Sequence, residues 1–333
     1  MTVYGGIEAG GSKWACAVGT GPTDVRAMEA IPTTSPSETI ERVIRFFERE
    51  GPVAAVGIGS FGPVDRIPTS PTWGHITTTP KPGWADTDVG QEIRRRLSVP
   101  IAFDTDVNAA ALGEYRWGAA QGLDTFCYVT IGTGIGGGGM VGGKLLHGLV
   151  HPEFGHIRIP HDTQADPFLG ACPYHRDCWE GLASGRAIQE RWGLPARELS
   201  DASAWNLQAR YLALGLVSVI CLLAPERIIL GGGVMNRPGL LELVQRNVVE
   251  LVNGYLGAET SDQGISTYIT LPSLGSRTGV LGAIALAQLP ETQDAAAVTA
   301  AAVRALYDQE RPDGNAATPK ASLPDARSSE PNT

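Results

Sequence analysis

Cysteine is scarce, five in 333 residues, and the count is odd. That does not support a disulfide framework. No run of 18 apolar residues occurs, so no segment reads as a membrane span. Cations are outnumbered, with 26 Lys and Arg against 35 Asp and Glu and a formal net charge of −9. Binding to a nucleic-acid backbone needs the opposite, clustered Lys and Arg. The opening M-T-V-Y-G-G-I-E reads as a strand and has neither the basic region nor the apolar core of a signal peptide. The expected location is therefore cytoplasmic, with no nucleic-acid or membrane partner. What is plentiful is glycine, 42 residues, which marks positions of positive φ or close backbone approach to a ligand. The length, with 43% hydrophobic and 18% charged residues, fits a globular chain of two domains or one large one.

Along the chain, residues 3–7 read as a short apolar strand, broken at Gly10-Gly11 and resumed at 14–18. Ser35-Pro36-Ser37-Glu38 supplies an N-cap, a first-turn proline and an acidic third position. Ile40, Val43, Ile44 and Phe47 follow at helical spacing. A strand at 53–58 leads into G-S-F-G-P, and a Pro/Gly/Thr-rich loop spans 66–84. Loops of that length inside a compact domain tend to be functional, although Trp84 within it reads as a packing residue. Val89, Ile93 and Leu97 mark a helix, and a strand at 100–103 opens the stretch F-D-T-D-V-N-A-A-A-L-G-E. Its carboxylates Asp104 and Asp106 stand where strand hands over to helix, the place where α/β folds bind ligands. On this segment alone, Asp106 or Asn108 is expected to cap the helix.

A strand at 125–131 then enters G-T-G-I-G-G-G-G, repeating the N-terminal plan of strand, glycine turn and strand. The two halves read as an internal duplication. Further on come an apolar helix at 204–223, a strand at 227–230 meeting Gly231-Gly232-Gly233, and an amphipathic helix at 240–255. A last strand at 265–271 and a small-residue helix at 278–289 complete the pattern. From residue 290 the composition turns to Ala, Pro, Ser and Asp, giving a helix at 295–307 and a disordered tail at 311–333.

The glycine turns fit neither a phosphate-binding loop with its terminal Lys nor a dinucleotide fingerprint, because strand and not helix follows each. They do offer backbone N–H concavities for anionic oxygens: Gly10, Gly11, Ser12 and Lys13 in the first, Gly132, Thr133, Gly134 and Gly136 in the second. Between residues 147 and 180 lies a polar insertion with Cys172-x2-His175-x2-Cys178. With one further histidine from His147, His151, His156 or His161 it makes two thiolates and two imidazoles, a closed structural zinc set. Cys16, Cys127 and Cys221 read as core residues.

G-I-E-A-G-G-S-K, D-T-D-V-N-A-A-A-L-G-E, I-G-T-G-I-G-G-G, H-P-E-F-G-H and I-L-G-G-G-V, in this order over residues 3–290, resemble the successive signatures of the ROK family (repressors, open reading frames and kinases). Within it the chain is similar to the bacterial fructokinases. The resemblance implies an α/β chain with the duplicated actin-like ATPase (ribonuclease H-like) fold, two lobes with a central cleft. An N-terminal lobe would cover residues 1–118, joined by the helix near 278–289, and a C-terminal lobe 119–277. It implies that the first two glycine turns hold the ATP phosphates and that Gly231, Gly232 and Gly233 lie against the adenosine. It selects His156 as the fourth metal ligand and assigns sugar contacts to Glu153, His156 and Glu180, completed by Gly62 and Pro63. The metal would then brace the loop carrying the glutamates. A homodimer is also implied.

Asp106 matches the family's catalytic Asp, the base that orients a sugar hydroxyl toward the γ-phosphate of Mg-ATP. An ordinary carboxylate pKa near ~4 suffices if the proton leaves late. Glu8 stands where many relatives have Asp, in a position to hold Mg²⁺ or its water. Thr105 replaces the Asn of glucose-directed relatives and removes an amide able to bind two ring hydroxyls. Together with the altered cysteine–histidine spacing, this points to D-fructose and formation of fructose 6-phosphate, with glucose and mannose as the alternatives. A sugar-responsive repressor would need a DNA-binding segment ahead of the first glycine turn, which here begins at Gly5.

Overall fold

The computed structural model describes residues 2–289; the helix and tail expected beyond residue 290 lie outside the described residues. The first half opens with β1 (Tyr4–Ala9), β2 (Lys13–Gly21), β3 (Asp24–Pro32), α1 (Pro36–Glu50) and β4 (Val56–Ser60). A small hairpin, β5 (His75–Ile76) and β6 (Thr87–Asp88), precedes α2 (Gly90–Leu97), β7 (Ile101–Thr105) and α3 (Asp106–Trp117). The second half has β8 (Phe126–Ile131), β9 (Ile135–Val141), β10 (Lys144–Leu145), α4 (Trp179–Ala183), α5 (Gly185–Trp192) and α6 (Ala202–Leu223). It closes with β11 (Arg227–Gly231), α7 (Leu240–Val252), α8 (Ile265–Tyr268), β12 (Ile269–Thr270) and α9 (Thr278–Ala287).

The strands form two five-stranded sheets ordered β3-β2-β1-β4-β7 and β10-β9-β8-β11-β12. In each, three antiparallel strands joined by tight turns are followed by two parallel ones. Thus β1 pairs with β2 from Tyr4↔Gly19 to Ala9↔Trp14, and β8 with β9 from Phe126↔Met140 to Ile131↔Ile135. The parallel neighbours are β4 on β1 and β11 on β8. The duplication read from the glycine turns is therefore a duplication of sheet topology.

Local sequence explains the elements that were expected. Ser35 accepts a bond from Glu38 N at the start of α1, Pro36 occupies the first turn, and Val43, Ile44, Phe46 and Phe47 are buried. The two largest apolar clusters among the described residues lie around Ile7, Trp14, Ile58 and Trp84 and around Ile131, Trp179, Leu212 and Ile220. Trp84 is fully buried and its Nε1 donates to Thr34 O at 2.9 Å, as befits packing. Helices α3 and α9 cross where Gly113 meets Gly282, so close that a methyl group on Gly282 would lie 1.8 Å from Ala109 O. The buried Glu114 carboxylate fixes this crossing by accepting bonds from Ser273 N, Leu274 N and Thr278 Oγ1 at 3.1, 3.0 and 3.0 Å.

Several local expectations are corrected. Residues 265–271 form the one-turn helix α8 and then only a two-residue strand, whose ladder along β11 spans two residue pairs. Strand β3 had no sequence signal, since its buried-to-exposed alternation runs through Arg26, Met28 and Glu29 at the edge of the sheet. Cys221 is exposed on α6, whereas Cys16 and Cys127 are buried. Helix α6 is long and apolar enough to cross a membrane by length and composition. It is instead a core helix: Trp205, Leu212, Leu216 and Val219 are buried, and Arg210 pairs with Glu250 of α7 at 3.1 Å.

Candidate active site and metal centre

The floor of the site is the corner between β7 and α3. Thr105, and not Asp106 or Asn108, is the N-cap: its side chain accepts from Asn108 N at 3.2 Å while its backbone stays extended. The hydroxyl expected to face the sugar is thus committed to the helix, and Thr105 is buried. Asp104 is buried beside it, its Oδ1 accepting from Thr105 N at 2.7 Å and Asn108 Nδ2 at 3.0 Å, its Oδ2 2.7 Å from His147 Nε2. Burial pushes the Asp104 pKa up, but these partners outweigh it and hold the group below its ordinary value. Asn108 extends the network to the second half, accepting from Gly139 N at 3.2 Å and donating to Leu146 O at 3.3 Å.

Asp106, two residues on, behaves oppositely. Its carboxyl lies at the bottom of the cleft, where loss of solvent first and the Glu8 carboxylate second push its pKa up to about 7, with Glu153 adding a smaller rise. Its own helix start acts the other way, since Asp106 Oδ1 accepts from Val107 N at 2.9 Å. The ordinary carboxylate pKa expected from sequence is therefore corrected: three like-charged groups share one poorly solvated space. Glu8 is itself raised by burial, against a lowering from Lys13. A methyl group on Gly279 of α9 would lie 2.3 Å from the Glu8 carboxyl carbon.

Both glycine turns are backed in the same way, through their carbonyls. Gly10 O accepts from Thr33 Oγ1 at 2.8 Å and Ser12 O from Thr33 N at 3.1 Å. Gly132 O accepts from Gly185 N at 2.7 Å and Thr133 O from Arg186 N at 3.2 Å, at the start of α5. Gly11, Ser12, Lys13 and Thr133 are exposed at the turn tips. A methyl group on Gly134 would lie 2.4 Å from Glu180 Oε2, so the Glu180 carboxylate would have to shift to admit a side chain. Gly136 stands outside the turn, on β9 opposite Thr130, with Val107 of α3 against it. At the end of β11, Gly231 is buried under the Tyr128 hydroxyl, and Gly232 has φ +90°, a conformation glycine adopts without strain. Gly233 is exposed.

The insertion gathers His156, Cys172, His175 and Cys178, whose ligand atoms all lie within 4.8 Å of one another. His156 Nδ1 is 3.3 Å from His175 Nδ1, 3.7 Å from Cys172 Sγ and 3.6 Å from Cys178 Sγ. Bonds of about 2.0–2.3 Å to a central ion give a tetrahedron with edges of about 3.3–3.8 Å, so the donor set fits a metal ion. Trp179, the residue after Cys178, is fully buried against Gly215 of α6 and ties the cluster to the core. Glu180 follows, its Oε2 accepting from Ile135 N at 2.9 Å just past the second turn. Glu153 is more open to solvent, but its partial burial and then the Glu180 charge push its pKa up to about 7.

The three other histidines weighed for the metal are engaged elsewhere. His147 pairs with Asp104; His151 accepts from Val64 N at 3.0 Å; His161 faces a buried cluster of Asp166, Arg191 and Tyr211. The structure thus brings together Glu8, Asp106, Glu153, Glu180 and the second glycine turn. Asp104, Asn108, His147 and His151 complete the surroundings, and no family-independent pattern in the sequence marks them. Their sole signal is the density of His and Asp in segments 104–108 and 147–156.

Known proteins resemble this chain over nearly all of the described residues. The "Putative fructokinase" of Bacillus subtilis (strain 168) is 49% identical over 286 residues, 86% of this chain and 95% of that one. The "Fructokinase" of Zymomonas mobilis subsp. mobilis is 45% identical over 300 residues, 87% of this chain and 98% of that one. A ROK family glucokinase from Streptomyces griseus, solved in complex with glucose and AMPPNP, superposes with a TM-score of 0.70 at 27% identity, covering 86% of this chain and 99% of that one. The duplicated sheets are accordingly those of the actin-like ATPase fold of sugar kinases. The ROK family model matches residues 4–289, and the chain belongs to the ROK family.

Proposed function

We propose that this protein phosphorylates a hexose with ATP, and that the hexose is D-fructose, converted to fructose 6-phosphate. The observation that carries the reading is the Asp106 carboxyl at the β7–α3 corner, in a chain 49% and 45% identical to relatives named fructokinase; burial and the Glu8 charge raise its pKa to about 7. Such a group accepts a proton near neutral pH, the role a general base plays toward a sugar hydroxyl. The relatives named fructokinase are 49% and 45% identical, against 27% for the structurally similar glucokinase, which favours fructose over glucose.

In this reading Asp106 accepts the proton of the attacking hydroxyl as the γ-phosphoryl group transfers. Little covalent chemistry is asked of the protein beyond positioning and charge stabilisation. The turns at 10–12 and 132–134, with their carbonyls tied back, offer their amide edges to the phosphates, and Lys13 adds a positive charge. A cavity of about 250 Å³ lined by Trp205, Asn206, Arg237 and Leu240, just past Gly233, suits the adenosine. The paired carboxylates Glu8, raised in pKa by burial, and Asp106, raised by burial and by the Glu8 charge, suit a hard divalent cation, and Glu8 would hold Mg²⁺ through its water. When bound, Mg²⁺ offsets the charge of the β- and γ-phosphates.

Glu153 and the free oxygen of Glu180 are the sugar-side acceptors, with Gly62 and Pro63 closing the opposite wall. Zinc is the proposed occupant of the His156, Cys172, His175 and Cys178 set. Its part is to hold the insertion that carries both glutamates. The test is ADP release with Mg-ATP over fructose, mannose, glucose and N-acetylmannosamine. Fructose is expected to give the highest kcat/KM. Absence of any sugar-stimulated ADP would overturn the kinase reading, and a clear glucose preference would overturn the assignment of fructose.

A further inference from the structure

His151 links the two halves across the mouth of the cleft. Its ring is buried, and Nε2 accepts a bond from the Val64 backbone N–H at 3.0 Å. An accepting Nε2 carries no proton, so a neutral ring has its proton on Nδ1. Nδ1 lies 3.4 Å from Glu153 Oε1 and 3.5 Å from Pro152 O. Burial also draws the His151 pKa below the usual histidine value, which keeps the ring neutral.

The Val64 N–H has no other natural partner. Residues 63–65 run antiparallel to 75–77, with Thr77 N donating to Pro63 O at 2.8 Å and Asp65 N to His75 O at 2.9 Å. Alternation along that bridge turns the Val64 N–H outward, toward the insertion. Without the imidazole it would be a buried donor left unpaired. Gly62 lies directly on the ring: a methyl group there would be 3.2 Å from His151 Cε1. One imidazole therefore touches Gly62 and Val64 from the first half and Glu153 from the second.

We propose that His151 is a positioning residue for the sugar pocket, setting the spacing between the 62–64 wall and Glu153. The proposal rests on the reading of Glu153, Gly62 and Pro63 as sugar-facing. It predicts a selective effect, because the ring's neighbours are Gly62, Val64, Pro152 and Glu153, on the sugar side of the site. His151→Leu removes the acceptor, and His151→Asn keeps a polar group near Nδ1 but stops short of Val64. His151→Gln reaches Val64 with its carbonyl oxygen and retains a donor for Glu153.

Sugar KM is expected to rise about 10- to 100-fold in the Leu and Asn variants, the range for an unpaired buried donor, with KM for ATP and kcat nearly unchanged. The Gln variant is expected to recover most of the loss. Hydrogen exchange at the Val64 amide, measured without any substrate, is expected to accelerate in the Leu and Asn variants and to return toward normal in the Gln variant. The Asn and Gln variants decide the matter if the Leu variant does not fold. A normal sugar KM in the Asn variant, an equal rise in both KM values, or unaltered Val64 exchange would each overturn the proposal. If the unaltered protein phosphorylates no sugar at all, it is the hexokinase reading that fails. The exchange measurement still decides whether His151 holds the 62–64 wall, and unaltered exchange there would overturn the proposal independently.

Discussion

In the first half, the elements that reach the cleft carry carboxyl groups: Glu8 on β1, Asp104 at the end of β7 and Asp106 opening α3. At the matching ends of the second half, β8 runs into Gly132-Thr133-Gly134 and β11 into Gly232-Gly233, where backbone amides replace side chains. Sheet order and strand directions are the same in both halves, so the difference lies in the residues at the strand ends. One wall gathers carboxyl groups, Glu8 raised in pKa by burial and Asp106 by burial and the Glu8 charge; the other presents N–H groups and draws its carboxylates from the insertion that carries the cysteine–histidine cluster. A phosphoryl transfer needs both, a proton acceptor on one side and anion stabilisation on the other. The duplicated scaffold supplies the proton acceptor from the first half and amide edges from a glycine turn in each half.

The comparison breaks most sharply at Asp106. Asp106→Asn is expected to lower kcat about 10²- to 10⁴-fold in steady-state assays while sugar binding by calorimetry survives. The same change should make the protein more stable at neutral pH, by about 1–2 kcal/mol in denaturant melts. The sign comes from the raised pKa: between about 4 and 7 the folded Asp106 holds a proton that the unfolded chain has released, so stability falls as pH rises through that window. A destabilised variant would show that Asp106 is a structural cap and not a crowded acid.

On the other wall, Cys172→Ser should abolish stoichiometric metal content and lower stability by about 2–4 kcal/mol, read by metal analysis and thermal melts. An unchanged metal-to-protein ratio would show the ligand set to be wrong. Gly134→Ala places a methyl group against Glu180 and should raise KM for ATP about tenfold, with little change in stability. The smallest effect sharpens the acidic wall. The rise of kcat/KM with pH should have its midpoint near 7, and Glu8→Gln, by removing a like charge, should move that midpoint to lower pH by about one unit or less. A shift to higher pH would contradict the crowding account.

Much of this arrangement was legible in the residues. Glycine-rich turns between strands, S-P-S-E before α1 and the Cys172–His175–Cys178 spacing each report on chemistry confined to a few neighbours. Failures fell where distant packing decides. Thr105 caps α3 because its hydroxyl is the one that reaches Asn108 N, although Asp106 and Asn108 are equally good capping types. In the run Gly136–Gly139, the sequence reading counts Gly136 with the phosphate turn. Two members of that run are small because the start of α3 lies on them, with Val107 against Gly136 and Asn108 against Gly138. Strand β3 and helix α8 depend on a sheet edge and a short ladder, where propensity alone carries little weight.

The sequence by itself determined the duplicated plan, the family, the metal-ligand types and the presence of a carboxylate at the β7–α3 corner, because each is written in contiguous residues whose spacing fixes their local geometry. Only the tertiary structure decided that Asp104 and Asp106, separated by one residue, ionise in opposite directions. It alone shows that three of the five candidate histidines face Asp104, Val64 and Asp166 and not the cysteine–histidine cluster. A pKa depends on the charges, donors and solvent within a few ångströms, and at Asp106 those come from β1 and the insertion, elements remote in the chain.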